Sequence, residues 1–426
     1  MLPEELYSVY LRNPNIQTDS RKVRKGDLFF ALKGPNFNGN AYAASAIDSG
    51  AAFAIIDEET YTIEGRTILV HDVLTSLQEL ATHHRKQFDI PFLAITGSNG
   101  KTTTKELIHA VLSTTLETYT TEGNLNNHIG VPLTILKIKS DAKIAVIEMG
   151  ANHLGEIASY CTIAMPTHGL ITNCGKAHLE GFGSEEGVRK GKGELFDYLR
   201  TTGGTAFIMH DYDYLHDMSK GIPTIYSYGT KDARVVGEVI TSDPFLEVNF
   251  SKGYNGIIKT SLVGAYNLPN VLAAVAVGKF FSIPDASIKS AIENYQPSNS
   301  RSQLMEKGSN KIIVDAYNAN PSSMKVAIEN FAKTNHRNKF LVLGAMAELG
   351  ADSIKEHQQL VEEIKKYNWE NVLLVGGDFM KIEHPYQKAL SASEAGEWLR
   401  SKNIQDAYIL LKGSRSAQME KVLDYI

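Results

Sequence analysis

Thirteen residues carry the densest chemistry in this chain: Leu93-Ala-Ile-Thr-Gly-Ser-Asn-Gly-Lys-Thr-Thr-Thr-Lys105, where an apolar strand opening at Phe92 runs into a glycine-bounded turn and then a helix. Such a turn can cradle a triphosphate. Gly97 and Gly100 permit backbone conformations in which successive N–H groups point inward at an anion, with Ser98 and Asn99 between them and Thr103 just after. Lys101 can reach the outer phosphates and the Thr102 hydroxyl can hold Mg²⁺. A helix from Thr103 to about Ser113 adds its positive N-terminal end at the same spot. The loop is shorter than the common G-x-x-x-x-G-K-[ST], because Ile95 stands where that pattern needs its first glycine. An ordinary strand–turn–helix joint with a solvated lysine does not account for glycines, lysine and hydroxyl run coinciding.

A phosphate loop does not say what becomes of the phosphate, so acidic and metal-capable groups at neighbouring strand ends matter. Glu148 ends the apolar run from Lys143, where a carboxylate could help hold a second Mg²⁺. His178 lies in the glycine-rich loop Cys174 to Gly183. Lys190 and Lys192 open a helical stretch as a basic cluster, which in isolation reads as a solvated face rather than a phosphate clamp. Asn267 and Asn270, three apart at a helix start, can present amides to a heterocycle such as adenine or serve only as caps. Asp315, Tyr317, Asn318 and Asn320 leave an apolar strand together and are stopped by Pro321. Glu348 in Leu343 to Gly350, and Lys412, Ser414 and Arg415 in a later strand-end string, repeat that logic. The latter string offers charge for a carboxylate or phosphate.

Around these groups, 426 residues are too long for one ordinary core and imply two or three domains. A net charge of −5 gives no global attraction for nucleic acid, so any phosphate site must be local. The N-terminus lacks the basic start and apolar run of a signal peptide, and Val271 to Phe281 is too short to span a bilayer, so a cytoplasmic protein without membrane insertion is expected. Two cysteines, Cys161 and Cys174, lack C-x-x-C spacing and read as reduced thiols.

Buried-type strands alternate with helical patterns from about residue 88, predicting an α/β protein with ligands at the carboxyl ends of parallel strands. Residues 1–86 read as a small N-terminal α/β unit. Residues 87–298 read as a central, mostly parallel sheet with an antiparallel flank from Thr224 to Val263. After the Pro/Ser/Asn break at 296–300, residues 299–426 read as a Rossmann-like C-terminal α/β unit with strands at 311–315, 339–343, 371–375 and 407–411 and a last helix at 416–423.

Taken together these strings resemble the Mur ligase family of ATP-dependent amide-forming enzymes in peptidoglycan synthesis, over nearly the whole chain. The resemblance implies ATP as cofactor at Gly97 to Thr103, two Mg²⁺ sites served by Thr102, Glu148 and His178, and a Lys192 that is carbamoylated in relatives. It implies catalytic roles for Lys101, Glu148, His178 and Lys192, and nucleotide contacts from Asn267, Asn270, Arg301 and Asp315. Asp19, Ser20 and Arg21 with the Gly26-Asp-Leu-Phe segment look like its UDP-sugar contacts. Asn318, Asn320, Lys412, Ser414 and Arg415 look like strings of the member that joins D-Ala-D-Ala to a UDP-muramoyl tripeptide, acting as a monomer.

Two departures stand out. Ala345 replaces an expected aspartate, so no role transfers to that position. Asn38-Gly-Asn40 lacks the acid and histidine often found near that glycine. Other ligases on this scaffold, folylpolyglutamate synthetase among them, and a nucleotide-regulated binding protein are the rival readings. A GTPase is disfavoured because no N-K-x-D is present. Closure of the third domain on the second is expected to bring Asp315, Asn318 and Arg301 to the nucleotide.

Overall fold

The computed structural model of the chain describes residues 3–298 and 300–426. Three sheets organise it. The central sheet has nine strands in the spatial order 256–259, 247–252, 235–241, 224–229, 205–209, 168–171, 92–96, 144–148, 118–120. Phe92–Thr96 and Ile144–Glu148 are buried at every residue, as expected for parallel strands covered on both faces. Phe92–Thr96 has neighbours added on either side, with Ile171 paired to Thr96 and Glu148 paired to Ile95. The strand order therefore reverses at this strand, and a crevice opens beyond its carboxyl end.

The antiparallel flank is smaller than the sequence suggests. Thr224–Gly229 runs parallel to Thr205–Met209 and to Val235–Thr241, and only Glu247–Lys252 runs against the rest, with Gly256–Lys259 turning back beside it. The short helix Asp213–Ser219 supplies the crossover that keeps Thr224–Gly229 parallel. Its seven residues are too few to announce a helix by periodicity.

Behind the sheet, Leu268–Phe280 is apolar around its whole circumference and almost wholly buried. It packs against the helix Lys101–Leu112 that follows the phosphate loop, so Asn267 and Asn270 are held beside that loop's helix.

The N-terminal unit is a four-stranded parallel sheet in the order 16–17, 28–30, 53–56, 67–69. Its last helix, Val73–Arg85, locks it to the central unit. Arg85 donates from Nε to Ala164 O (2.7 Å) and from Nη2 to Met165 O (2.9 Å), with its guanidinium 3.7 Å from the centre of the Phe92 ring.

The C-terminal sheet has six strands in the order 303–307, 310–315, 408–412, 339–344, 371–375, 387–389. Two of these, Gln303–Lys307 and Gln387–Ala389, are edge strands whose mixed sequences do not resemble buried runs. The helix expected at 416–423 is instead two 3₁₀ segments, Arg415–Ala417 and Met419–Tyr425, broken at Gln418 by a left-handed backbone (φ 49°). Among the described residues no helix is long and apolar enough to cross a membrane.

Candidate active site

The crevice at the carboxyl end of Phe92–Thr96 is a cleft of ≈ 900 Å³ lined from both the central and C-terminal units. Its floor is the glycine turn. Gly97 has φ +143°, and a Cβ there would sit 2.0 Å from the Thr172 hydroxyl oxygen, so only glycine fits. The turn is pinned to the adjacent strand end: Ser98 N donates to Asn173 O at 2.9 Å and Asn99 N to the Asn173 side-chain oxygen at 3.1 Å. Gly100, in the left-handed region, opens the helix on Lys101. Its missing Cβ matters too, since one would lie 2.6 Å from Asn270 Oδ1.

Lys101 folds back on its own loop, donating from Nζ to Gly97 O (2.7 Å) and Ser98 O (3.3 Å). Burial pushes its ammonium below the ordinary lysine range, with Glu148 pulling the other way. A polyanion would supply the counter-charge that this ammonium lacks.

Glu148 is almost fully buried and only half satisfied. Its Oε1 accepts from the Thr102 hydroxyl (3.1 Å) and from Asn126 Nδ2 (2.8 Å), while Oε2 is buried without any hydrogen bond. A buried carboxylate oxygen with no donor beside a helix-start hydroxyl fits a missing cation. Among the described residues no three His, Cys, Asp or Glu side chains cage an ion by themselves. That donor poverty matches Mg²⁺, which is usually held by one or two carboxylates with waters and substrate phosphates completing the shell.

Lys192 is not on a solvated face. It is fully buried, and its Nζ donates to Ala151 O at 2.8 Å behind the cleft wall, 5.0 Å from the Phe182 ring centre. The helix Glu185–Thr202 explains the difference from Lys190: two residues apart on a helix, the side chains point about 200° apart, one inward and one to solvent. Burial, then the Lys101 charge, lowers the Lys192 amine to about 7.

Asn267 and Asn270 form a rigid pair rather than caps. Asn270 Nδ2 donates to Asn267 Oδ1 (2.8 Å), Asn270 Oδ1 accepts from the Thr104 hydroxyl (3.0 Å), and Asn267 Nδ2 donates to Val263 O (2.9 Å). Both line the cleft.

From the C-terminal unit come Arg301, Asp315, Tyr317, Asn318 and Lys412. The Arg301 guanidinium stacks 3.6 Å from the Tyr317 ring centre and leaves its Nε buried without a hydrogen bond. Lys412 is already paired with Asp315, Nζ to Oδ2 at 2.5 Å, so its charge is not free for a carboxylate. Ser414 is buried, its hydroxyl donating to Ala345 O (2.6 Å), and Arg415 turns to solvent beside Glu420. Of that string only Lys412 reaches the cleft.

Asn320 instead bridges the units, donating to Asn99 Oδ1 at 2.8 Å. Lys176 N donates to the Ser322 hydroxyl at 3.0 Å and Lys176 Nζ meets Glu356 at 2.7 Å. His178 lines the cleft with Nδ1 2.5 Å from Glu348 Oε2. The two units therefore stand closed on each other.

Asp19, Ser20 and Arg21 lie outside the cleft, in the N-terminal unit. Asp19 caps its own turn and clamps the exposed Arg21 through Nε (2.8 Å) and Nη2 (2.8 Å). Nearby, Asn38 and Asn40 bind Glu58 (3.1 Å) and Asp57 (2.8 Å), while Lys33 pairs with both acids. The two amides thus tie this loop to the strand end at Asp57 and Glu58.

Sequence reasoning missed Asn124, Asn126, Asn127 and His128, which line the cleft from the loop after Thr118–Thr120, and Tyr212 and Tyr214, which line it too. The amide run Asn124-Leu-Asn-Asn127 after a strand was a readable signal of the kind used elsewhere. The tyrosines carried none.

Comparison with known proteins follows the same three units. Residues 14–87 match the Mur ligase family catalytic domain, 95–278 the Mur ligase middle domain, and 300–420 the Mur ligase glutamate ligase domain. The chain is 32% identical over 425 residues to UDP-N-acetylmuramoyl-tripeptide--D-alanyl-D-alanine ligase of Bacillus subtilis, covering 96% of this chain and 92% of the relative. Among solved structures, MurF of Acinetobacter baumannii superposes with a TM-score of 0.87 at 29% identity, over 96% of this chain and 92% of that one. MurF of Thermotoga maritima in complex with ADP gives 0.86 at 27% identity, over 97% of each chain.

Proposed function

The chain belongs to the Mur ligase family, and we propose that it is the ATP-dependent ligase that joins D-alanyl-D-alanine to a UDP-N-acetylmuramoyl tripeptide in the cytoplasm. The observation that carries this reading is the cleft itself, in which Lys101, Thr102 and a half-satisfied Glu148 meet residues of the C-terminal unit across one closed interface.

The reaction transfers the ATP γ-phosphoryl group to the terminal carboxylate of the tripeptide, giving an acyl phosphate. The D-Ala-D-Ala amine then attacks the carbonyl carbon, phosphate departs, and the amine proton is lost to solvent or a nearby base. A carboxylate has to approach a polyanion, so positive charge must offset the repulsion. Lys101 supplies it at the outer phosphates and the loop N–H groups at the inner ones. Mg²⁺, bound where Thr102, Glu148 and His178 would hold it, supplies further charge neutralisation. Asn267 and Asn270 offer a preorganised amide pair to the adenine side, and Arg301 and Asp315 approach the nucleotide from the C-terminal unit. Asp19, Ser20 and Arg21 in residues 1–86 are proposed contacts of the UDP-sugar.

ADP release measured with the UDP-muramoyl tripeptide, with and without D-Ala-D-Ala, tests the function. Turnover should require both. ATP consumption indifferent to the dipeptide would refute it.

Lys192 is the proposed site of carbamoylation. Its amine is neutral above about 7 because burial disfavours the ammonium, and only the neutral amine attacks CO₂. The carbamate would be an anion beside Ala151, able to support bound Mg²⁺. Crystals grown at pH 8 with bicarbonate should show carboxyl density on Nζ, weakening towards pH 6. A bare amine at pH 8 overturns the assignment.

Domain closure has its own expected outcome. The strands of the central and C-terminal units belong to separate sheets, and contacts such as Asn320 with Asn99 and Lys176 with Glu356 cross between them, so the units should separate without ligands. Small-angle scattering of the free protein should give a larger radius of gyration than with an ATP analogue and the UDP-muramoyl tripeptide. Identical profiles would count against closure.

A further inference from the structure

The Cys174–Gly183 loop faces two carboxylates of the C-terminal unit. Lys176 pairs with Glu356 and His178 with Glu348. The second pair differs in kind. His178 and Glu348 both occupy the left-handed backbone region, at φ 51° and 60°, which non-glycine residues visit only at a cost. Glu180 N also donates to Glu348 O at 3.3 Å, so main chain holds the two loops in register. His178 Nδ1 is shielded from solvent and stands 2.5 Å from Glu348 Oε2 as a close ion pair that lacks the alignment of a hydrogen bond, with no hydrogen-bond partner among the described residues, while the ring lines the cleft. With Nδ1 against the carboxylate, Nε2 is the remaining nitrogen.

We propose that Glu348 is a positioning residue: its carboxylate, carried by the C-terminal unit, fixes the His178 ring through Nδ1 and leaves Nε2 for the cleft, so a competent histidine exists only in the closed arrangement. A carboxylate behind an imidazole sets both tautomer and ring orientation, and its loss typically costs 10- to 100-fold in activity or metal affinity. The inference rests on the ligase reading for its consequence but not for its geometry.

Two measurements test it. In full-length protein labelled with ¹⁵N-histidine and held closed by an ATP analogue and the UDP-muramoyl tripeptide without divalent metal, the His178 ring shifts should place the proton on Nδ1, and Glu348→Ala should return them to the tautomer mixture of a free histidine. In steady-state assays Glu348→Gln should lower kcat about 10- to 100-fold with little change in the KM for ATP or the sugar-peptide. Glu356→Gln, which removes a docking pair without touching His178, should stay within about fivefold of wild type. Ring shifts unmoved by Glu348→Ala, or equal losses in Glu348→Gln and Glu356→Gln, would overturn the proposal. If the shifts move while ADP release ignores the substrates, the ligase reading falls and the contact stands.

Discussion

Lys101→Ala is expected to lower kcat at least about 10²- to 10³-fold, the range seen when one preorganised donor to a developing charge is removed. The effect should fall on turnover because the ammonium has no other structural employment. Its hydrogen bonds go to Gly97 O and Ser98 O, carbonyls of the loop it serves, and both can be rehydrated in the open cleft. Loop geometry is held independently, by Ser98 N and Asn99 N on Asn173 and by the close approach of Gly97 to Thr172. The thermal unfolding midpoint should therefore stay near wild type while ADP release collapses. Burial already holds the ammonium below its ordinary range, so removing it even relieves a small desolvation cost. A variant within tenfold of wild-type turnover would mean that the loop N–H groups and bound Mg²⁺ neutralise the phosphates by themselves.

The sequence made the phosphate loop legible because its constraints are local. Glycine at Gly97 and Gly100, an apolar strand before and a helix after are one contiguous string, and each residue's reason lies within a few positions of it. The Asn267/Asn270 pair was visible as spacing, but its choice between cap and ligand was decided by Thr104 and Val263, which lie elsewhere in the sequence or on the preceding turn. Lys192 misread for the same reason: charge favours solvent in any local scale, and only the packing of Phe182 and Ala151 buries it. The Lys412 to Arg415 string was legible only in part. Strand-end polarity was the right signal, yet Asp315 neutralises Lys412, and 3₁₀ geometry after Ser414 turns Arg415 away. Pairings between units, such as Asn320 with Asn99, have no trace in either local sequence, since they depend on how two sheets stand to each other.

Glu148→Gln should be the other severe substitution, and its interest is that the fold should survive it. The amide oxygen can keep both bonds of Oε1, from the Thr102 hydroxyl and Asn126 Nδ2, in an isosteric side chain. What changes is the second position. A carboxylate oxygen buried without a donor becomes an N–H₂ group aimed at the same point, so a site that attracts a cation becomes one that repels it. Two differences from Lys101→Ala follow. The Mg²⁺ concentration giving half-maximal turnover should rise about 10- to 100-fold, the scale for a lost metal-supporting contact. At saturating Mg²⁺ kcat should remain depressed about 10²-fold or more, because charge at the transferring phosphate is stabilised less even when the ion is forced in. A Mg²⁺ titration of ADP release, run beside thermal unfolding of both variants, separates these outcomes. Were Glu148→Gln to show an unchanged Mg²⁺ midpoint, the unpartnered oxygen would have to be neutralised by something other than a metal ion, with the Lys101 ammonium, whose charge Glu148 already favours, the candidate to swing from Gly97 towards it.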